Sequence, residues 1–440
     1  MSENAQKVIV RIPPSPTGYF HVGRARTALF NYLFAKKHNG KVVFRLEDTD
    51  KERSKDEFAE DIIENLKWLG IQYDEGPFKQ SERTEVYRNY LHKMVEEGKA
   101  YISHEPEGEN KEVVRFKNPN KKITFHDLIR GDITFDTTEL KDFVIARNIN
   151  DPLYHLTVVV DDHEMGVTHV IRGDDGISNT PRQILIQEAI GAKRPIYAHV
   201  PLILGADKSK LSGRHGAVSL RDYREKGYLP EALVNFLALL GWNPGTEQEI
   251  FSMNELAQAF EVERIQKSGA VFNDVKLRSI NKHYIRNLPK EILVEEILAR
   301  VPECPDTFLD KLVPVILDRI EVLSDINAMH AAGELSYFWK SPDIDPAKVV
   351  WKNDTPENSK IHLVKTKAIL ETIHEKEWTI DNLRAILMPY AEEAGKGNVL
   401  WPLRVSLSGK DKSPDPFPIA VIIGKHETAA RIEKAISILP

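Results

Sequence analysis

Short apolar runs alternate with amphipathic helical patterns along the first hundred residues, and this alternation constrains the fold more than any other feature. The stretches 7–12 (KVIVRI) and 41–46 (KVVFRL) are rich in β-branched residues and are typical of buried strands. Between and after them, apolar residues recur every three or four positions, and a glycine follows each helical pattern. Strands that alternate with helices in this way favour a parallel sheet with helices on its faces.

The alternation is interrupted at about residue 101. The stretch 105–122 is polar and contains two prolines, and strand-like runs follow at 133–135 and 143–146. The alternation then resumes with three strand-like runs, at 156–160, 168–171 and 197–204. Thr180 and Pro181 are expected to begin the helix between the last two, as N-cap and first-turn proline. The pattern predicts one α/β domain that is split by a small insertion of β character.

Beyond residue 219 the pattern is mainly helical. The stretch 233–240 is apolar on nearly all sides, so we expect it to be buried. The predicted organisation is an α/β domain (1–100 and 155–215), an insertion (101–154) and two helical domains (216–300 and 301–440).

Composition limits the sites and partners that such a chain can have. The net charge of the 440 residues is −6, so nucleic acid could be bound only by local basic patches. Two such patches occur: 193–226 has eight basic and three acidic side chains, and 396–412 has four and one. The single cysteine, Cys304, excludes an internal disulfide and a cysteine-cluster metal site. No apolar run reaches the length of a membrane span, and no leader is expected, so we predict a cytoplasmic protein.

The segment 13–26 (PPSPTGYFHVGRAR) leads from the first strand through a turn into a helix. The N–H groups at a helix start attract phosphate, and Gly23 allows a ligand to approach the backbone. His21 could donate a hydrogen bond to a phosphate oxygen there. The alternative is an ordinary helix start with a surface histidine.

A second segment, 207–214 (DKSKLSGR), is a short polar loop with three cations. It suits a polyanion whose charge moves during a reaction, such as leaving pyrophosphate. The alternative is a solvated basic loop.

The motifs HVGR and KLSGR resemble the HIGH and KMSKS signatures of class I aminoacyl-tRNA synthetases. RLEDTD, VVVDDHEMGVTHVIRGDD, NTPRQIL and HVPLIL resemble, in order, segments of the bacterial glutamyl-tRNA synthetases, and WPLRVSLSG and GKHETAARI continue the resemblance more thinly beyond about residue 290. Ser15 and Arg24 stand where the glutaminyl enzymes usually carry Glu and His, which favours glutamate. The resemblance implies a Rossmann-like catalytic domain, an insertion that binds the tRNA acceptor end, and helical domains for stem contact and anticodon binding.

The resemblance also implies the residues of the site. Two arginines are expected to bind the two glutamate carboxylates by bidentate contacts, in an assignment that stays open. The implied amino-acid pocket consists of Arg11, Ser15, Glu47, Tyr154 and Arg172, with Glu47 on the substrate ammonium. The implied ATP site consists of Thr17, His21, Gly23, Lys208, Lys210 and Arg214, and the catalytic residues among these are His21, Lys210 and Arg214. Trp401 and Arg404 are candidates for contacts with anticodon bases.

The resemblance implies the ATP-dependent attachment of glutamate to tRNA(Glu) by way of glutamyl-adenylate, with Mg²⁺ on the phosphates. It also implies a monomer that does not contact the membrane.

Three departures from the family pattern stand out. Gly213 replaces the second lysine of the KMSKS-like loop, the segment 101–112 lacks the zinc-binding cysteines of many relatives, and the insertion is short. We therefore expect no zinc. Two alternatives stay open: a tRNA-binding paralogue without amino-acid activation, and a ligase that glutamylates a modified tRNA base.

Overall fold

The computed structural model describes residues 7–105, 112–212 and 218–440. The chain divides between Asn281 and Lys282 into two compact units. The first unit is mixed α/β and the second is helical in its described secondary structure. The boundary falls inside the range 216–300 that the sequence predicts as one domain.

Three parallel strands open the first unit, in the order β1-β2-β3. They are β1 (Ile9–Ile12), β2 (Lys41–Leu46) and β3 (Glu75–Lys79). The first three helices are α1 (Val22–Lys37), α2 (Asp56–Trp68) and α3 (Thr84–Glu96). Val10, Phe44 and Leu29 are fully buried between this sheet and its helices. The predicted alternation is confirmed, whereas the polar strand β3 had no sequence signal.

A second sheet continues the fold in the order β10-β11-β6-β7. It combines a hairpin from the predicted insertion with two strands that follow it in sequence. These are β6 (Lys122–Asp127), β7 (Gly131–Asp136), β10 (His169–Gly173) and β11 (Ile196–Val200). The strands β6, β10 and β11 are parallel. Thr168 links the two sheets, because its backbone N–H donates to Ile9 at 2.9 Å and its Oγ1 accepts from the Ile9 N–H at 2.8 Å.

An antiparallel sheet lies beside this core, in the order β4-β5-β8-β9. Its strands are β4 (Ala100–His104), β5 (Glu112–Phe116), β8 (Phe143–Asn148) and β9 (Asp151–Pro152). The strand-like runs predicted at 133–135 and 143–146 lie in β7 and β8, so the β character predicted for this segment is confirmed.

The prediction of a strand at 156–160 is wrong. These residues lie in helix α4 (Tyr154–Glu164), where Leu156, Val158 and Val160 are almost fully buried. A run of β-branched residues fits a buried helix as well as a buried strand, since strand propensity differs by only about 1 kcal/mol between residues and packing overrides it.

Two smaller predictions also change. The helix α5 (Thr180–Ile190) has Asn179 as its N-cap, so Thr180 is its first residue rather than its cap. The run 197–204 contains two strands, because β12 (Ile203–Leu204) is separated from β11 by Pro201 and Leu202. The left-handed Gly191, with φ of +73°, ends α5 as the sequence indicates.

Helices dominate the rest of the first unit. They are α6 (Leu220–Glu225), α7 (Pro230–Leu239), α8 (Met253–Ala259) and the part of α9 (Asp274–Arg286) that precedes the boundary. The strand β13 (Ala270–Val271) pairs with β12. The predicted burial of the stretch 233–240 is confirmed for nearly all of its side chains.

The second unit contains nine described α-helices after the end of α9. They are α10 (Lys290–Arg300), α11 (Asp306–Arg319), α12 (Asp325–Ala331), α13 (Pro346–Val349), α14 (Pro356–Glu371), α15 (Ile380–Ala394), α16 (Lys396–Ser408), α17 (Pro416–Ile423) and α18 (Lys425–Ile438). The buried guanidinium of Arg431 links α18 to the carbonyls of Tyr337 and Leu407, at 2.6 Å each. Among the described helices, none combines the length and the apolar character that a membrane span requires.

Candidate functional site

A cavity of about 820 Å³ opens where β1, β2 and β10 end. Ligands bind at the carboxyl ends of parallel strands in sheets of this kind. Eight residues that the sequence analysis assigns to the site line this one cavity: Arg11, Ser15, His21, Gly23, Glu47, Tyr154, Arg172 and Lys210. Thr17 and Lys208 are not among the lining residues, and Gly213 and Arg214 lie outside the described residues.

His21 is the N-cap of α1, and its Nδ1 accepts a hydrogen bond from the Gly23 N–H at 3.2 Å. The proton of the neutral ring must therefore be on Nε2. Burial by the surrounding protein, followed by the charges of Arg24 and Lys210, lowers the pKa of His21 to about 4. At pH 7 the ring is neutral and can offer its Nε2–H to a ligand at the start of the helix.

The lining includes Arg24, to which the sequence analysis assigned no role in the site. Its Nη1 donates to the carbonyl of Ser15 at 2.6 Å, which fixes the turn that precedes α1. Burial lowers the pKa of Arg24, although Glu47 and Asp175 oppose this shift. Its place in the HVGR motif was a signal, but the sequence could not show that it bonds to the turn.

Arg11 lies at the end of β1 and is 1% exposed. Its Nε lies 3.4 Å from a carboxylate oxygen of Asp162, and its Nη1 donates to the carbonyl of Ile171 at 3.4 Å. Among the described residues, no hydrogen-bond partner occupies its Nη2. Contacts at Nε and Nη1 therefore hold the guanidinium in place, while its Nη2 side has no partner among the described residues. Such an unoccupied edge can bind a carboxylate by two parallel hydrogen bonds.

Glu47 follows β2 directly and is held by Arg45, whose Nη2 lies 3.2 Å from its Oε1. Burial raises the pKa of Glu47, while the positive charges of Arg45 and Arg11 act in the opposite direction. Arg45 itself has no solvent exposure and also contacts Asp162 at 2.9 Å. Two buried arginines thus offset only part of the desolvation of this carboxylate, and the net direction of its pKa is upward.

Asp161 lies behind this group and is fully buried. It accepts hydrogen bonds from the Nε2 of Gln80, the Nε of Arg83 and the hydroxyl of Tyr87, each at 2.8 Å. Arg45 Nε lies 3.5 Å away. The sequence does not indicate this network, because its members come from four elements that only the fold brings together.

Arg172 lies near the end of β10 and is 8% exposed. Four of its five N–H groups are already donated within the protein, to His199 Nε2 at 3.1 Å, Gln183 Oε1 at 2.7 Å, the Gly176 carbonyl at 3.1 Å and Thr180 Oγ1 at 2.7 Å. One Nη1–H is left for a ligand. The predicted bidentate contact at this arginine therefore requires that one of these bonds be exchanged.

Lys210 lies at the mouth of the cavity, in the lysine loop (207–212) that follows β12. The loop is closed by the Gly205 N–H, which donates to the carbonyl of Ser209 at 2.8 Å, and Lys208 takes the left-handed conformation with φ of +62°. This turn leaves Lys208 exposed and away from the cavity lining, whereas Lys210 borders it.

A second cavity, of about 500 Å³, lies in the helical part of the first unit and is lined by residues between 236 and 280. It contains none of the predicted site residues. Among the described residues, no group of three or more His, Cys, Asp or Glu side chains could hold a metal ion.

Four of the eight basic side chains of the 193–226 patch lie in ion pairs, one of them Lys210 with Asp175. Arg194 contacts Glu188 at 3.1 Å, Arg221 contacts Glu225 at 2.8 Å, and Arg224 lies 3.8 Å from Glu64. The positive field of this patch is therefore weaker than the sequence count suggests.

Two tryptophans form an aromatic pair in the second unit. The ring centroids of Trp351 and Trp401 are 4.6 Å apart, Lys352 Nζ lies 4.7 Å from the first ring and the Arg404 guanidinium carbon lies 4.5 Å from the second. Trp401 Nε1 donates to the Lys348 carbonyl at 2.8 Å, which orients its ring. Gly397 makes room for the pair, because a Cβ there would lie 2.2 Å from Trp351 Nε1.

Comparisons with known proteins match nearly the whole chain. A family model described as tRNA synthetases class I (E and Q), catalytic domain, matches residues 7–112 and 102–279, and one for an anticodon binding domain matches residues 291–436. The glutamate–tRNA ligase of Carboxydothermus hydrogenoformans is 40% identical over 97% of this chain and 99% of its own. That of Thermodesulfovibrio yellowstonii is 39% identical over 98% and 99%.

Solved structures agree with these matches. A glutamate tRNA ligase from Elizabethkingia meningosepticum, in complex with its amino acid, aligns with a TM-score of 0.86 and 30% identity over 99% of this chain and 100% of its own. The glutamate-tRNA synthetase of Elizabethkingia anophelis aligns with a TM-score of 0.84 and 31% identity over 98% and 100%.

Proposed function

The chain belongs to the class I glutamate–tRNA ligases, and we propose that the 820 Å³ cavity is the place where it activates glutamate with ATP and then transfers the glutamyl group to tRNA. The enzyme attaches glutamate to tRNA. One observation supports this assignment of the cavity: two buried arginines, a buried glutamate and a neutral histidine at a helix start all line it. The relatives favour neither of the two alternative functions.

Glutamate offers two carboxylates and one ammonium. Arg11 keeps its Nη2 group and one Nη1–H without a partner among the described residues, so it is the better candidate for a bidentate carboxylate contact. Arg172 adds a single N–H to the other carboxylate in its present geometry. Glu47 holds the ammonium, and the hydroxyls of Ser15 and Tyr154 complete the pocket.

ATP is placed with its phosphates at the start of α1. The helix N-terminus, the Nε2–H of His21 and the ammonium of Lys210 supply positive charge there, and Gly23 lets the phosphates approach. Mg²⁺ arrives on the phosphates as part of the substrate. A glutamate carboxylate oxygen attacks the α-phosphorus, and the bond to pyrophosphate breaks as the lysine stabilises the leaving charge.

The terminal ribose hydroxyl of tRNA then attacks the carbonyl carbon of glutamyl-adenylate, and AMP leaves. The matched anticodon binding domain, residues 291–436, is the part proposed to bind the anticodon of tRNA(Glu). The Trp351–Trp401 pair with its two cations suits the stacking of unpaired bases. We further propose that the enzyme works as a cytoplasmic monomer, as the resemblance to its family implies.

Pyrophosphate exchange into ATP tests this proposal directly. Purified enzyme with tRNA(Glu) should exchange pyrophosphate rapidly when glutamate is present, and at background rate with glutamine or without an amino acid. Omitting tRNA should reduce the exchange. Tight tRNA binding together with background exchange under all conditions would contradict the proposal and indicate a tRNA-binding paralogue.

A further inference from the structure

His199 lies fully buried in β11, between a carboxylate on β6 and a guanidinium on β10. Its Nδ1 lies 2.6 Å from Asp127 Oδ2, and its Nε2 lies 3.1 Å from Arg172 Nε. The three side chains form one hydrogen-bonded chain that ends at the cavity, because Arg172 lines it and the other two do not. The mechanism proposed above uses neither His199 nor Asp127.

The proton positions on the His199 ring follow from its two partners, Asp127 and Arg172. Asp127 is also fully buried, and its carboxylate accepts the backbone N–H groups of Ile129 at 3.0 Å, Arg130 at 2.9 Å and His199 at 3.0 Å. Burial raises the pKa of Asp127, but the hydrogen bond from the His199 ring and the backbone N–H groups of Arg130 and Ile129 lower it, and the net direction is downward. A carboxylate with this many donors is ionised and can only accept, so Nδ1 of His199 carries a proton.

Arg172, at the other end of this series of hydrogen bonds, determines the protonation of the second ring nitrogen. The guanidinium of Arg172 can only donate, so His199 Nε2 must carry a lone pair. Burial lowers the pKa of His199, the Asp127 hydrogen bond raises it and Arg172 lowers it. The net direction is downward, in agreement with a neutral ring that has its proton on Nδ1.

We propose that His199 is a positioning residue for glutamate binding: its Nε2 lone pair fixes the Arg172 guanidinium toward the cavity, and Asp127 fixes the tautomer that makes this possible. The inference rests on the proposed function, in which Arg172 contacts a glutamate carboxylate. Among the described residues, His199 is the only partner of Arg172 Nε, whereas Gln183, Gly176 and Thr180 hold the two terminal nitrogens.

The Arg172 guanidinium is closely packed, so it has little room to move if it loses a hydrogen-bond partner. A Cβ at Gly176 would lie 2.6 Å from Arg172 Nε, so the backbone of the turn already touches the side chain. Thr180 Oγ1 lies 3.2 Å from His199 Nε2 as well as 2.7 Å from Arg172. Loss of the Nε2 acceptor therefore leaves a buried N–H without a partner, and the guanidinium must rotate to find another.

Two substitutions at one position separate the two ring nitrogens. His199→Asn keeps an amide donor near the place of Nδ1, for Asp127, but has no atom at the place of Nε2. His199→Gln reaches the place of Nε2 with its amide oxygen and can still accept from Arg172 Nε. We expect His199→Asn to raise the glutamate KM by about ten- to a hundredfold, the range of one lost charge-assisted bond, with the ATP KM unchanged.

His199→Gln is expected to keep the glutamate KM within about threefold of wild type, which corresponds to less than about 1 kcal/mol. The measurement is pyrophosphate exchange with saturating tRNA, at varied glutamate and at varied ATP. His92, exposed on α3, supplies the matched controls His92→Asn and His92→Gln, which should leave both KM values unchanged. Equal glutamate KM values in His199→Asn and His199→Gln, or an equal rise in the ATP KM, would overturn the inference.

The tautomer can be observed in the wild-type enzyme, which keeps the inference testable if His199→Asn does not fold. Nitrogen NMR of histidine-labelled protein, with the His199 signal assigned from His199→Gln, should show the proton on Nδ1. A proton on Nε2 would overturn the inference. Absence of glutamate-dependent exchange by the wild-type enzyme would instead refute the proposed function, so the two failures are distinguishable.

Discussion

Lys210 Nζ lies 3.8 Å from a carboxylate oxygen of Asp175, and both side chains border the cavity. The pair is 65% and 66% exposed, and an ion pair in such a position contributes at most about 1 kcal/mol. Phosphate oxygens can therefore replace Asp175 as the partner of this lysine at small cost. The structure thus holds Lys210 beside the cavity by a weak contact, which the phosphates of the proposed nucleotide substrate could replace.

Lys210→Ala should slow the formation of glutamyl-adenylate by about a hundredfold or more, because a donor aimed at charge that develops in the transition state is worth roughly 3–4 kcal/mol. Single-turnover adenylate formation with saturating tRNA measures this step. Lys67→Ala, on the exposed side of α2, is the control. A rate unchanged from wild type would assign the phosphate charge to another cation.

Arg11→Lys should raise the glutamate KM by about ten- to a hundredfold while the ATP KM changes little. Lysine keeps the charge beside Asp162 but cannot form the two-point contact with a carboxylate. Steady-state exchange at varied glutamate and varied ATP, with the melting temperature measured alongside, separates loss of binding from loss of folding. An equal rise in both KM values would show that Arg11 acts on the whole cavity rather than on glutamate.

Asp161→Asn should lower the free energy of unfolding by about 3–5 kcal/mol, because it leaves the buried Arg45 with less compensating charge. Denaturant unfolding of the full chain, followed by circular dichroism, measures the change. Asp56→Asn is the control, since this residue is 92% exposed and its contact with Lys79 is 3.7 Å long. A loss below about 1 kcal/mol would mean that solvent or neighbouring groups replace the missing charge.

The sequence indicated the charged residues that line the cavity but not the buried carboxylates that hold them. Arg11, Glu47 and Arg172 stand at strand ends in recognisable motifs, so their meeting in one cavity could be predicted. Asp161 and Asp162 lie in a stretch that the sequence analysis placed next to a strand, and only the helix α4 turns them toward Arg45. Periodicity cannot distinguish a short buried helix from a buried strand, so their partners could not be assigned.

The position of β6 in the sheet is a second feature that the sequence did not predict. Its sequence lies inside the predicted insertion, yet the strand pairs with β11 and places Asp127 against His199. A contact between residues 72 positions apart depends on sheet order, which local patterns do not encode. The predicted residues that line the cavity could therefore be found from motifs, whereas those that hold them in place could not.

Acid should destabilise the enzyme between about pH 6.5 and 4 through three histidines whose pKa is lowered in the folded protein. Burial is the main cause that lowers the pKa of His21, His155 and His169 to about 4 each. Between pH 6.5 and about 4 the unfolded chain binds more protons at these histidines than the folded chain does. The free energy of unfolding therefore decreases as the pH is lowered, until the pH reaches the folded-state pKa values. His169→Gln should reduce the slope of unfolding free energy against pH in this window. A slope identical to that of wild type would contradict the assignment.

Trp401→Ala should weaken tRNA binding by about five- to a hundredfold, since one stacked base is worth about 1–3 kcal/mol. The exchange rate at saturating tRNA should stay near that of wild type, because the ring lies in the second unit and not in the cavity lining. Trp401→Phe keeps a stacking surface and should restore most of the affinity.

Salt dependence separates stacking from charge in the same experiment. Lys412→Ala removes an exposed cation next to Asp411, whose carbonyl accepts a hydrogen bond from Arg404, and should reduce the slope of log affinity against log salt by about 0.7–0.9. Trp401→Ala should instead lower the affinity at every salt concentration without changing that slope. Filter binding of tRNA(Glu) from 50 to about 200 mM salt measures both effects. If Trp401→Ala changed only the slope, the ring would act by holding Arg404 in place, 4.5 Å from its centroid, rather than by stacking on a base.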